Sequence, residues 1–149
     1  MVVCFSCWQV IARKLLVDFD ERIPCPVKGC YGILIEIDEN LIAVIQTLNG
    51  KNFYTTNCCS GHIWGNGTPE RTSAYIAFHK DIQRKELKRL PEGWKIDKDQ
   101  SNGDIIRAVF ANDDPIGLHL SILKGMEDIA RWADSLEPRE ESFDLTPHD

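Results

Sequence analysis

No stretch of this chain approaches the roughly 20 consecutive apolar residues that cross a bilayer as a helix, so no membrane partner is expected from it. Also missing is the basic, then apolar, then small-residue order of a secretory leader; MVVCFSCWQV is too short and already carries a cysteine pair. No segment repeats. Cations are in the minority, 17 Lys and Arg against 23 Asp and Glu, for a formal charge of -6. That balance argues against broad, sequence-independent contact with a phosphate backbone, which relies on many Lys and Arg side chains. It leaves room for a local basic patch. These absences lead to the expectation of a soluble, cytoplasmic protein, and 149 residues suit one domain, or one small domain with an appendage.

What is present is cysteine, six in all. Without a leader, two close pairs in the first thirty residues point to reduced, metal-binding thiols rather than disulfides. CFSC at 4–7 and CPVKGC at 25–30 can each turn two thiolates toward one point, so Cys4, Cys7, Cys25 and Cys30 are the expected ligands of one structural zinc ion. The second pair is spaced C-x4-C rather than C-x2-C. Pro24, Pro26 and Gly29 suit the knuckle turns, and in so small a segment the metal supplies much of the folding free energy. Residues 1–36 therefore read as a zinc ribbon, with Val10, Ile11, Leu15, Leu16 and Phe19 available for two short strands, or a strand and a helical turn.

The remainder reads as an α+β domain over 37–137 followed by an acidic, disordered tail at 138–149. Residues 38–49 have helical spacing, with Asp38 at the N-cap, Leu41, Ile42, Ile45 and Leu48 on one face, and Gly50 as the stop. NFYTTN is a strand ending near 57, CCSGH a turn, WGNGTPERTS a loop. Ser73–His79 alternates, with Ala74, Ile76 and Phe78 on one face and Tyr75, Ala77 and His79 on the other. A basic helix is expected from Asp81 to Leu90, stopped by Pro91. GWKIDK and DIIRAVFA flank Asn102-Gly103, a hairpin signal. IGLHL reads as one more strand, and a closing helix over 121–136 buries Ile122, Met126, Ile129, Ala133 and Leu136. The expected architecture is a mainly antiparallel sheet with helices packed on it, plus the small ribbon.

The stretch from Thr55 to Ile63 carries the most chemistry. Gly61 permits a positive φ, where successive amides can face an anion; Ser60 offers a hydroxyl, Cys59 a thiol and His62 an imidazole that titrates near neutrality. His79 ends the neighbouring strand and is the candidate general base if any reaction occurs. Against this stand ordinary alternatives: a strand-end histidine is commonly a solvated residue, the basic run 84–89 a solvated face, and Cys59 with His62 lacks a third orienting group for nucleophilic catalysis.

TTNCCSGHI at 55–63 resembles the T-T-S-S-C-S-G-R-I signature of the tRNA wybutosine-synthesising methyltransferase family. Thr55, Thr56, Cys59, Ser60, Gly61 and Ile63 match, whereas Asn57, Cys58 and His62 depart. The likeness extends over roughly 38–136, placing His79 at the end of a later strand and Arg107 in the Ile-Arg strand, but the ribbon lies outside it. It implies S-adenosylmethionine as cofactor and RNA as partner. With His62 at the signature arginine, an anion contact there becomes pH-dependent. Ribbon and CCSGH together also look like small proteins of bacterial phages and prophages. Three functions follow. The first is a zinc-containing protein that binds a nucleotide-like ligand through Thr55, Thr56, Asn57, Cys59, Ser60, Gly61, His62, His79 and Arg107, for instance to sequester a host signalling nucleotide. The second is an S-adenosylmethionine-dependent RNA modification enzyme, and the third a zinc-ribbon interaction module. Pairing of the exposed edge between chains would give a homo-oligomer.

Overall fold

The computed structural model describes residues 1–4, 6–11, 23–61, 71–99 and 103–140. Among these residues the fold is α+β, with two antiparallel sheets and two α-helices, the class the sequence implies.

The smaller sheet is the ribbon. Strand β1 (Val2–Cys4) lies between β2 (Val10–Ile11) and β3 (Leu34–Glu36), antiparallel to both. Alternation along β1 sends its side chains two ways. Val2 and Cys4 pack with Cys25 and Leu34 in a small cluster, while Val3 enters the main core beside Ile37. The Ile37 N–H donates to the Met1 carbonyl at 3.0 Å, holding the ribbon against the next element. Leu15, Leu16 and Phe19 lie outside the described residues.

The chain then makes a 3-10 turn, Glu39–Leu41, and helix α1 (Ile42–Gly50). Leu41, Ile45 and Leu48 are buried as their spacing predicts, with Val44 beside them. Asp38 sits at the N-terminus but makes no side-chain cap; its carboxylate is used elsewhere, as described below.

The larger sheet has the order β4-β5-β7-β6, with β4 Thr55–Cys59, β5 Arg71–Phe78, β6 Trp94–Asp99 and β7 Gly103–Ala111. Every neighbouring pair is antiparallel. The strand expected to end near 57 runs on to Cys59, with an irregularity between Thr55 and Asn57, so Cys58 and Cys59 are strand residues rather than turn residues. Ala74, Ile76, Phe78, Ile106 and Ala108 face the helices and form the core; Tyr75, Ala77, Ile105 and Arg107 face away. β6 and β7 form the expected hairpin, in register from Trp94↔Ala108 to Asp99↔Gly103.

Two expected elements differ. The 81–90 helix reduces to a 3-10 turn, Arg84–Glu86, closed by a capping box between Gln83 and Glu86. Ile82 and Leu87, the two buried side chains of this stretch, are five residues apart, a spacing that one helix face does not serve. Arg89 takes a positive φ of 55°. IGLHL is not a strand but the first turns of α2 (Pro115–Ser135), which begins six residues before the expected 121. Pro115 stands in the first turn, and the Asp114 carboxylate accepts from the N–H groups of Ile116 and Gly117. That start buries Leu118 in addition to Ile122, Met126, Ile129 and Ala133.

The chain after α2 is tied down through residue 139. The Arg139 side chain donates to Glu86, to the Asn52 carbonyl and to the Asp81 carbonyl, and Lys51 Nζ donates to the carbonyls of Ala133, Asp134 and Leu136. Lys51 thus supplies the cation that a helix C-terminus favours. Residues 141–149 of the expected tail lie outside the described residues. Among the described residues no helix is long and apolar enough to cross a membrane.

Candidate functional site

The four N-terminal cysteines converge. Their sulfur atoms all lie within 4.8 Å of one another, with Cys4–Cys30 at 3.6 Å and Cys7–Cys25 at 3.5 Å. A tetrahedron of thiolates with metal–sulfur bonds of about 2.3 Å has sulfur–sulfur edges of about 3.8 Å, so the cluster fits one metal ion and is far too open for disulfides. The C-x4-C spacing closes because the Cys30 N–H returns to the Val27 carbonyl at 3.0 Å, and Gly29 takes a φ of 83° within the knuckle. Gly32 completes the cradle. Its N–H points at Cys30 Sγ, 3.4 Å away, and a Cβ there would lie 2.5 Å from both Cys4 Sγ and Ser6 Oγ.

The thiols also compete for protons. Desolvation acts to raise the Cys4 thiol, but the N–H groups of Cys7 and Ser6 outweigh it and bring it down to about 7. The Val27 N–H favours the Cys25 thiolate, yet desolvation and the neighbouring thiols of Cys7, Cys4 and Cys30 prevail and push it up to about 12. Four such groups cannot all ionise together without a cation among them.

The second concentration of chemistry lies on the sheet face away from the helices. A hollow of about 750 Å³ is lined by Thr56, Asn57, Tyr75, Ala77, His79, Lys80, Ile105 and Arg107. Register explains the grouping: Cys59↔Tyr75↔Arg107 and Asn57↔Ala77↔Ile105 are rows across the outer face. The Arg107 guanidinium stands 5.4 Å from the centre of the Tyr75 ring, 3.5 Å from Asp97 and 3.4 Å from Ser73 Oγ. His79 Nδ1 is 3.1 Å from Asp81 Oδ2. Burial raises the Tyr75 phenol, with the Cys59 and Cys58 thiols adding to the effect against Arg107, so it is a neutral hydroxyl.

This arrangement divides the residues expected at 55–63. Thr56, Asn57, His79 and Arg107 line the hollow. Thr55 and Ser60 point inward instead. Asn49 Nδ2 donates to Thr55 Oγ1 at 2.8 Å, and the Thr55 N–H donates back to Asn49 Oδ1. The N–H and hydroxyl of Ser60 both donate to Asp38 Oδ2, at 2.8 and 3.0 Å. Cys59 shares the outer row with Tyr75 and receives the Gly61 N–H at 3.4 Å; Gly61 has the expected positive φ, 85°. Cys58 packs against the core, where burial, Asp38 and Cys59 push its thiol up to about 12. His62 and Ile63 lie outside the described residues.

No family model, curated protein or solved structure matches this chain. The site therefore rests on its own geometry. Tyr75 and Lys80 were not among the expected ligands, although alternation along β5 already set Tyr75 on the face of His79.

Proposed function

We propose that this is a zinc-ribbon protein whose outer sheet face binds a nucleotide-like anion. The observation that carries the reading is the lining of one hollow by a ring-bearing Tyr75 and three nitrogen-bearing side chains, His79, Lys80 and Arg107, beside the polar Thr56 and Asn57. An aromatic ring stacks a base, and guanidinium and ammonium groups meet phosphate. Zinc suits the ribbon because four thiolates in a closed tetrahedron are its characteristic structural site.

Calorimetry against a panel of nucleotides tests the reading. Binding of a mono- or dinucleotide that Arg107→Met weakens at least tenfold supports it; no heat with any nucleotide ends it. S-Adenosylmethionine belongs in the same panel, since the T-T-N-C-C-S-G-H-I resemblance favours an adenosyl compound. Heat with it alone would move the reading to RNA modification, with His79 as the proton acceptor to test.

A different surface favours the interaction-module reading. Tyr31 is 99% exposed on the ribbon, with Val27 and Ile33 also exposed. Under that reading Tyr31→Ala removes a binding partner while Arg107→Met has no effect.

A further inference from the structure

The hollow does not end where a single nucleotide would. Arg107 also lines a second concavity with Arg71, Gly93, Lys95, Ile96, Asp97 and Val109, and Lys80 lines a third with Arg84 and Lys98. The first two share Arg107 on the outer face; the third meets the first at Lys80, with Lys98 and Asp104 on the other side of the strands. Six cations line this run, Arg71, Lys80, Arg84, Lys95, Lys98 and Arg107, against two carboxylates, Asp97 and Asp104. A chain with a formal charge of -6 has thus gathered cations along one path. Lys95 and Arg107 stand directly opposite each other across β6 and β7. Like charges so placed are unfavourable in a bare sheet; Asp97, 3.5 Å from Arg107, offsets part of that cost, and a phosphate beside the pair offsets more.

We infer that the occupant of this path is a single-stranded nucleic acid, with one base on Tyr75 and its phosphates following the cations. The inference rests on the nucleotide reading above. A mononucleotide in the Tyr75 hollow leaves Arg71 and Lys95 without a phosphate, whereas the nine residues of β7 span roughly 30 Å, room for several linked nucleotides. Among the described residues both helices pack on the opposite face from Tyr75, Lys95 and Arg107, so neither helix covers that stretch of the path. A stacking ring within a basic groove is the arrangement that holds single strands with little regard to sequence. Duplex is disfavoured, because its bases are not free to stack on a side chain and the rest of the chain is acidic.

Fluorescence anisotropy with labelled oligouridylate and oligodeoxythymidylate of one, three, six and ten nucleotides tests this. Affinity is expected to climb at least tenfold from one to six nucleotides. The logarithm of the affinity should fall against the logarithm of salt concentration with a slope of about -2 to -3, the value for three or four phosphate contacts to a single strand. Arg71→Gln and Lys95→Gln should each weaken the six-nucleotide strand about tenfold or more and leave the mononucleotide unchanged; Tyr75→Ala should weaken both. The ratio between the ribo and deoxyribo series identifies which nucleic acid is preferred. A mononucleotide that binds as tightly as the longer strands overturns the extended path and leaves the nucleotide reading intact. Equal affinity for a duplex also overturns it, and no binding at any length removes both.

Discussion

Cys25→Ser removes one ligand from the ribbon, and the structure indicates how far the damage should travel. The ribbon's own cluster contains two buried aliphatics, Val2 and Leu34, beside Cys4 and Cys25. At about 1.5–3 kcal/mol each they contribute about 3–6 kcal/mol. A structural zinc ion in a small peptide contributes roughly 10–16 kcal/mol, so the metal governs whether this segment is ordered. Val3, on the other side of β1, belongs to the main core. Its loss costs that core about 1.5–3 kcal/mol, enough to lower the melting midpoint by roughly 5–15 °C but not to unfold the larger sheet. Metal analysis should therefore fall from about one zinc per chain to none, as one four-ligand site requires. Hydrogen exchange should show protection lost over Val2–Cys4 and Leu34–Glu36 and kept over Arg71–Phe78 and Gly103–Ala111. Retention of a full equivalent of zinc, or collapse of both sheets together, would refute the reasoning.

Other perturbations are as direct. Gly32→Ala places a Cβ 2.5 Å from Cys4 Sγ, and zinc affinity measured by chelator competition should drop at least tenfold although all four ligands remain. Lys51→Met removes the cation shared by three carbonyls at the end of α2 and should cost about 1–2 kcal/mol in urea unfolding. Gly103→Ala brings a Cβ to 2.4 Å from the Phe78 carbonyl at a φ of 149°, and about 1–3 kcal/mol of stability should be lost by the same assay. Glu86 is desolvated, which raises its carboxyl, but the Gln83 N–H and Arg139 outweigh this and hold it below the ordinary 4.5. Its contribution is complete above that ordinary value and disappears as pH falls through the lowered folded value. Glu86→Gln should accordingly flatten the acid limb of the stability profile, and an unchanged limb would show the pair to be energetically idle.

Much of the fold was legible because it depends on near neighbours in the chain. The helical spacing of Leu41, Ile45 and Leu48, the alternation from Ala74 to Phe78 and the Asn102-Gly103 signal are local, and each element appears where its pattern lies. The 81–90 stretch differs because Ile82 and Leu87 must both reach the core and Glu86 pairs with Arg139 from beyond the last helix, contacts that lie far along the chain. IGLHL alternates well enough for a strand, but Asp114 and Pro115 ahead of it are a helix start, and their signal outweighs the alternation. The site divided along the same line. Strand alternation suffices to place Asn57, His79 and Arg107 on one face. Nothing near Thr55 or Ser60 in the chain announces that Asn49 and Asp38 draw those hydroxyls inward.

The clasp formed by Lys51 and Arg139 joins the C-terminal end of each helix to that of the other, and the two helices back the sheet as one slab. A surface braced from behind has little freedom left to surrender when a guest settles on its front. Association there should therefore proceed with small rearrangement of the backbone, and loosening the brace, far from any guest, should weaken capture through lost rigidity alone.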